Sequence, residues 1–101
     1  MNRILLTALV AAALGFAGAA HAAGDAAAGK AKAASCAMCH GPNGEGNKMG
    51  PKLTGIAPAA FIKAMDDYKS GARANPMMKS AATPLSADDI ANLAAYYASL
   101  K

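Results

Sequence analysis

The apolar and polar positions divide this chain into one continuous apolar run and three stretches compatible with helices. The run, ILLTALVAAALGFAGAA, occupies residues 4–20 without a charge. In PAAFIKAMDDYKSG, Phe61, Met65 and Tyr68 recur at i, i+4 and i+7, Pro58 suits a first helical turn and Gly71 a terminator, which predicts a helix between them. In LSADDIANLAAYYASL, Ser86 with Asp89 three residues on resembles a capping box, and Ile90, Leu93, Tyr97 and Leu100 share one face. The earlier segment GDAAAGKAKAASC has Asp25 to favour a start and then strong helix formers, predicting a helix from about Ala26 to about Cys36. It has almost no bulky apolar face, so only close backbone approach or a tether could hold it.

Between these stretches the pattern breaks. Residues 41–55, GPNGEGNKMGPKLTG, hold five glycines and two prolines, the composition of a loop wrapped over something. ARANPMMKSAATPL reads as a second irregular segment, because Asn75-Pro76 and Thr83-Pro84 each disfavour helix before the proline. No useful length alternates with period two. The expectation is an all-α fold of three to four helices in a single domain.

The opening run changes the count of working residues. Asn2 and Arg3 precede it with positive charge, and Ala20-His21-Ala22 supplies small residues at the positions signal peptidase reads. The run is short for a membrane span and weak in bulk after Leu14. Residues 1–22 are therefore read as an export signal cleaved after Ala22, leaving a domain of residues 23–101 in the periplasm with no stable membrane insertion. Seventy-nine of the 101 residues remain, few for a self-sufficient core. The aromatics among them are Phe61, Tyr68, Tyr96 and Tyr97, and alanine buries little area. Another component should fill the middle.

Net charge is +4, or +3 without Arg3. With acids interspersed and no basic run, nucleic-acid binding is not supported. Asp66-Asp67 and Asp88-Asp89 read as helix-surface acids, and nothing resembles a serine–histidine, paired-carboxylate or phosphate-cradling site.

The two cysteines carry the chemistry. In an oxidising compartment they would ordinarily form a disulfide, but a bridge between Cys36 and Cys39 would restrict the unfolded chain very little. A thioredoxin-type pair needs a βαβ setting, and zinc needs about four ligands where this chain offers two cysteines and one histidine. Cys36-Ala37-Met38-Cys39-His40 is instead the C-x-x-C-H pattern of covalent haem attachment. Residues three apart lie on one side of a helical turn, so both sulfurs can bond one porphyrin edge while His40 offers its imidazole to the iron. With His21 in the leader, a second axial histidine within the subunit is excluded, and methionine is the obvious soft donor. Met38 lies within the attachment turn, Met49 on the loop following His40, and Met65 on the Phe61–Tyr68 stripe, where packing explains it. Met77 and Met78 remain.

The chain resembles the class I c-type cytochromes, in particular the small soluble monohaem cytochromes of the bacterial periplasm. The resemblance runs through GDAAAGKAKAASCAMCHG, GPKLTG, NPMMKSAA and LSADDIANLAAYYASL in order. It implies that Cys36 and Cys39 form the thioethers of one covalent haem c, and that His40 is the proximal ligand, oriented by the carbonyl of Pro51. It favours Met78, ahead of Met77, as the second axial ligand, and implies a close crossing of first and last helices at Gly29 and Tyr96. Ala33 departs from relatives that have a bulky residue before the attachment turn. Burying several hundred Å² of porphyrin at roughly 25 cal/mol per Å² is worth on the order of 10 kcal/mol before opposing terms. The cofactor would be the core.

Iron with both axial positions filled by protein has little room for substrate. The function this implies is one-electron transport between redox proteins by a monomer that binds donors and acceptors transiently and is not an enzyme. Lys48, Lys52 and Lys79 are candidates to steer acidic partners. The alternatives are a haem subunit of a larger redox enzyme complex and a ligand-binding haem sensor.

Overall fold

A computed structural model describes residues 24–100; the expected leader, its cleavage point and Ala23 lie outside them. The order is α1 (Ala26–Lys32), α2 (Ala34–His40), α3 (Pro58–Ser70), α4 (Pro76–Ala82) and α5 (Ala87–Ser99), with no strand among the described residues. The fold is all-α, with five helices among the described residues where the sequence pattern led to three or four.

One extra helix arises at Ala33. The Asp25 carboxylate caps α1 by accepting from the Ala27 and Ala28 N–H groups at 2.9 and 3.3 Å. At the other end, the Ala33 N–H is shared between the Gly29 and Lys30 carbonyls at 2.9 and 3.3 Å. This tightening interrupts the helix that was expected to run unbroken to about Cys36. α2 resumes at once and continues to His40, ending at Gly41 with φ 93°. Ala33 is buried, so a small side chain sits at the joint.

The other extra helix corrects the reading of ARANPMMKSAATPL as irregular. Asn75 is extended at φ −157° and its side-chain oxygen accepts from the Met78 N–H at 3.1 Å, with Pro76 in the first turn of α4. The proline that disfavours helix in the residue before it is well suited to the residue that starts one. Asn75-Pro76 is a start signal.

α3 and α5 follow the sequence pattern. Pro58 lies in the first turn of α3, and Gly71 ends it in the left-handed region at φ 86°. The α5 capping box is complete: the Asp89 N–H donates to Ser86 Oγ at 3.0 Å, and the Ser86 N–H to Asp89 Oδ2 at 3.0 Å. Phe61 and Met65 of α3 join Ile90, Leu93, Ala94, Tyr96 and Tyr97 of α5 in the buried core, with Ala33 and Ala82.

α1 is held by close approach. A Cβ on Gly29 would collide with the Asn92 backbone carbonyl and stand 2.9 Å from Tyr96 Cβ. The Asp25 N–H also donates to Asn92 Oδ1 at 2.8 Å. A glycine inside a helix costs about 1 kcal/mol relative to alanine, and here it lets α1 lie directly on the backbone of α5. No helix of the described residues is long and apolar enough to cross a membrane.

Candidate functional site

The site is built from the end of α2 outward. Cys36 and Cys39, one turn apart, are half-buried free thiols, and His40 is buried at 7% exposure. His40 Nδ1 lies 2.7 Å from the Pro51 carbonyl oxygen. An imidazole donating from Nδ1 keeps its proton there, leaving Nε2 as the nitrogen with a free lone pair. A single turn thus presents two thiols and one oriented nitrogen donor.

The loop from 41 to 55 holds this geometry through its backbone. The Gly46 N–H donates to the His40 carbonyl at 2.7 Å, Asn47 N–H to Gly50 O at 2.9 Å, and Leu53 N–H to Gly44 O at 2.7 Å. Asn47 Oδ1 accepts from the Met49 N–H at 2.8 Å, closing the turn that leads into Pro51. Gly50 has to be small: a Cβ there would lie 2.8 Å from both the Cys39 carbonyl oxygen and His40 Nδ1. Its glycine lets the chain press against the imidazole and deliver the Pro51 carbonyl.

Tyr97 connects this loop to α5. Its buried ring fills the space a Cβ on Gly44 would need, 2.6 Å from Cε1, and packs 5.8 Å centroid to centroid from Phe61. Its backbone carbonyl accepts from the Gly55 N–H at 2.9 Å. Burial holds the Tyr97 phenol well above its ordinary pKa, and the neighbouring Cys36 thiol adds to the shift.

The methionines separate by exposure. Met38, Met49 and Met77 are 80%, 71% and 68% exposed, and Met65 is buried within the core. Met78 is half-buried against that core. Of the α4 pair, then, Met78 faces the protein and Met77 faces away. Lys48, Lys52 and Lys79 are exposed, and none belongs to an ion pair among the described residues.

This donor set suits haem c: two free thiols three residues apart, an imidazole held by one nitrogen, and an inward-facing thioether on a separate helix. It does not suit a bare metal ion, since no three His, Cys, Asp or Glu side chains gather among the described residues. Sequence reading missed Asn75 as the cap of α4, Gly50 as the contact that seats the loop on His40, and the Gly44–Tyr97 fit. The Asn-Pro step could have revealed the first. The other two are contacts between residues distant in sequence or specific to a loop path, with no periodic signature.

These features define an all-α protein built to hold a tethered haem. The model of the family described as cytochrome c matches residues 26–101. Cytochrome c4 of Pseudomonas aeruginosa is 47% identical over 102 residues, covering 100% of this chain and 50% of the relative. Cytochrome c-554(548) of Halomonas halodenitrificans is 41% identical over 81 residues, covering 76% of this chain and 98% of the relative. The solved structure of Acidithiobacillus ferrooxidans cytochrome c4 superposes with a TM-score of 0.71 at 28% identity, over 74% of this chain and 49% of that one.

The chain belongs to the cytochrome c family and carries haem c covalently through its C-x-x-C-H motif. It spans about half the length of the cytochrome c4 relatives it matches.

Proposed function

We propose that this chain is a periplasmic one-electron carrier, exported by the leader of residues 1–22 and working as a monomer of residues 23–101. Haem c, when bound, supplies an iron centre that gains and loses single electrons. Cys36 and Cys39 would hold it through thioethers, His40 through Nε2, and Met78 through its thioether sulfur. The observation that carries this reading is the 2.7 Å contact from His40 Nδ1 to the Pro51 carbonyl. It fixes the ring, leaves Nε2 with its lone pair available to an iron and would make the imidazole a stronger donor. Met78 is preferred to Met77 because it is half-buried while Met77 is 68% exposed.

The soft sulfur of a methionine favours the reduced state relative to a second imidazole, which raises the potential. With an imidazole and a thioether both offered by the protein, the iron would have no position left for substrate, and electron exchange rather than catalysis would follow. Donor and acceptor would be redox proteins bound transiently. Spectra test this directly: carbon monoxide should leave the reduced protein unchanged, and a shifted spectrum would point to a ligand-binding sensor instead.

The match to half of cytochrome c4 supports a second reading, a haem unit within a larger redox assembly. Native mass after gentle purification separates the two. The carrier should run as one copy without companions.

A further inference from the structure

α4 is poorly equipped to hold itself in place. It has seven residues, and the one that is buried is Ala82, whose side chain is a single methyl. A helix that short is marginal on its own in water. Met78, half-buried, is the other hydrophobic side chain that it lays against the core. Every residue from Gly71 to Met77 is exposed. Contacts outside α4 therefore decide where Met78 sits.

Those contacts converge on three consecutive residues near the end of α3. At the start of the segment, the Arg73 N–H donates to the Asp67 carbonyl at 3.1 Å, and the Arg73 guanidinium lies 5.4 Å from the centre of the Tyr68 ring, within reach of a cation–π attraction. At its end, the Lys69 ammonium donates to the Leu85 carbonyl at 2.6 Å. The Ser86 carbonyl accepts the opening bond of α5, from the Ile90 N–H at 3.0 Å, so the Leu85 carbonyl stands outside that ladder and can be taken by a side chain. Asp67, Tyr68 and Lys69 thus clasp both ends of residues 73–85, with Met78 near the middle.

Lys69 is half-buried and belongs to neither ion pair among the described residues. Its charge is directed to a backbone carbonyl, and a charged donor makes a stronger bond than a neutral one. Lys63, on the same helix, pairs instead with Asp67 at 2.9 Å and is 77% exposed. The two lysines share a helix and a charge but differ in what they hold.

Resting on the reading of Met78 as an axial ligand, we infer that Lys69 and Arg73 are positioning residues for it, two cationic side chains that fasten the ends of its segment to one stretch of α3. They act on how often the methionine leaves its place, since the segment must swing away from α3 before another ligand can take that place.

The test uses the ferric haem-loaded protein and imidazole, which competes with the methionine. Loss of the far-red band after mixing gives the rate of displacement. K69M keeps the length of the side chain without its donors, and R73Q removes the guanidinium. The double variant should be displaced about tenfold faster than wild type, each single variant less so, and K69R, which can still donate to Leu85 O, should stay near wild type. K63M should leave the rate unchanged. Hydrogen exchange in the same haem-loaded proteins should quicken at the α4 amides of the double variant and not in the 41–55 loop. Unchanged displacement in the double variant, equal acceleration in K63M, or exchange quickened throughout the molecule would overturn the positioning role. A wild type without the far-red band would sink the ligand reading instead, and the exchange of the α4 amides would still decide whether Lys69 and Arg73 hold the segment.

Discussion

His40 ends one short helix and Met78 lies in another, and the segments beside them are fixed by different means. The His40 side is secured by the protein's own backbone. Its loop bonds to the His40 carbonyl, to itself and to the Tyr97 carbonyl, and it closes onto the imidazole through a glycine that admits no Cβ. The Met78 side is exposed from Gly71 to Met77. It is held by the Asn75 cap, by the Lys69 ammonium donating to Leu85 O at 2.6 Å, and by Arg73 lying 5.4 Å over the Tyr68 ring. The difference teaches that the His40 side is held mainly by the chain's own backbone contacts, whereas the Met78 side is held by fewer of them.

The severest way to break this comparison is to remove the tether. Cys36→Ala with Cys39→Ala should leave no covalent adduct in the intact mass and a chain that does not unfold cooperatively, because a bound porphyrin would add a large apolar area to a core otherwise short of bulk. A cooperative transition without haem would show that the helices suffice.

Gly50→Ala acts on the His40 side alone. Because the added Cβ meets Cys39 O and His40 Nδ1, it should lower stability by about 1–3 kcal/mol in denaturant titration. Loosening the Pro51 bond also weakens the imidazole as a donor to ferric iron, so the midpoint potential should rise. Unchanged potential would mean that the bond does not tune the ring.

Asn75→Ala probes the weaker side, and losing a side-chain cap costs about 1 kcal/mol. That cost should appear as faster hydrogen exchange confined to α4 and its flanks, with the amides of the 41–55 loop unaffected. Equal acceleration in both would erase the distinction between the two sides.

The smallest effect concerns α5, the scaffold common to both. The Asp89 carboxyl is held below its ordinary pKa by the Ser86 N–H. Its contribution is therefore complete above about pH 4 and is lost as pH falls through the lowered value. Asp89→Asn should melt earlier than wild type at neutral pH, and the two melting curves should converge in strong acid.

Much of this arrangement was legible in the sequence. The bulky stripes of α3 and α5 stand at helical spacing, the Ser86–Asp89 box marks a helix start, and C-x-x-C-H concentrates its chemistry in one turn. α4 was hidden because the signal that starts it, Asn75-Pro76, also breaks whatever precedes it. The pause at Ala33 comes from one shared N–H, which leaves no trace in a run of alanines. Gly50 looked like any loop glycine, since its value lies in a contact with an imidazole ten residues earlier. Local propensity and periodicity show in the residues, while contacts set by the path of a loop do not.

The far-red absorption of the oxidised protein, which reports a methionine sulfur on ferric haem iron, tests the account most directly when recorded for wild type, Met77→Ala and Met78→Ala. The band should be present in wild type, persist in Met77→Ala and vanish in Met78→Ala. A band that survives the loss of Met78, or is lacking from the wild type, would contradict the assignment of this side of the haem.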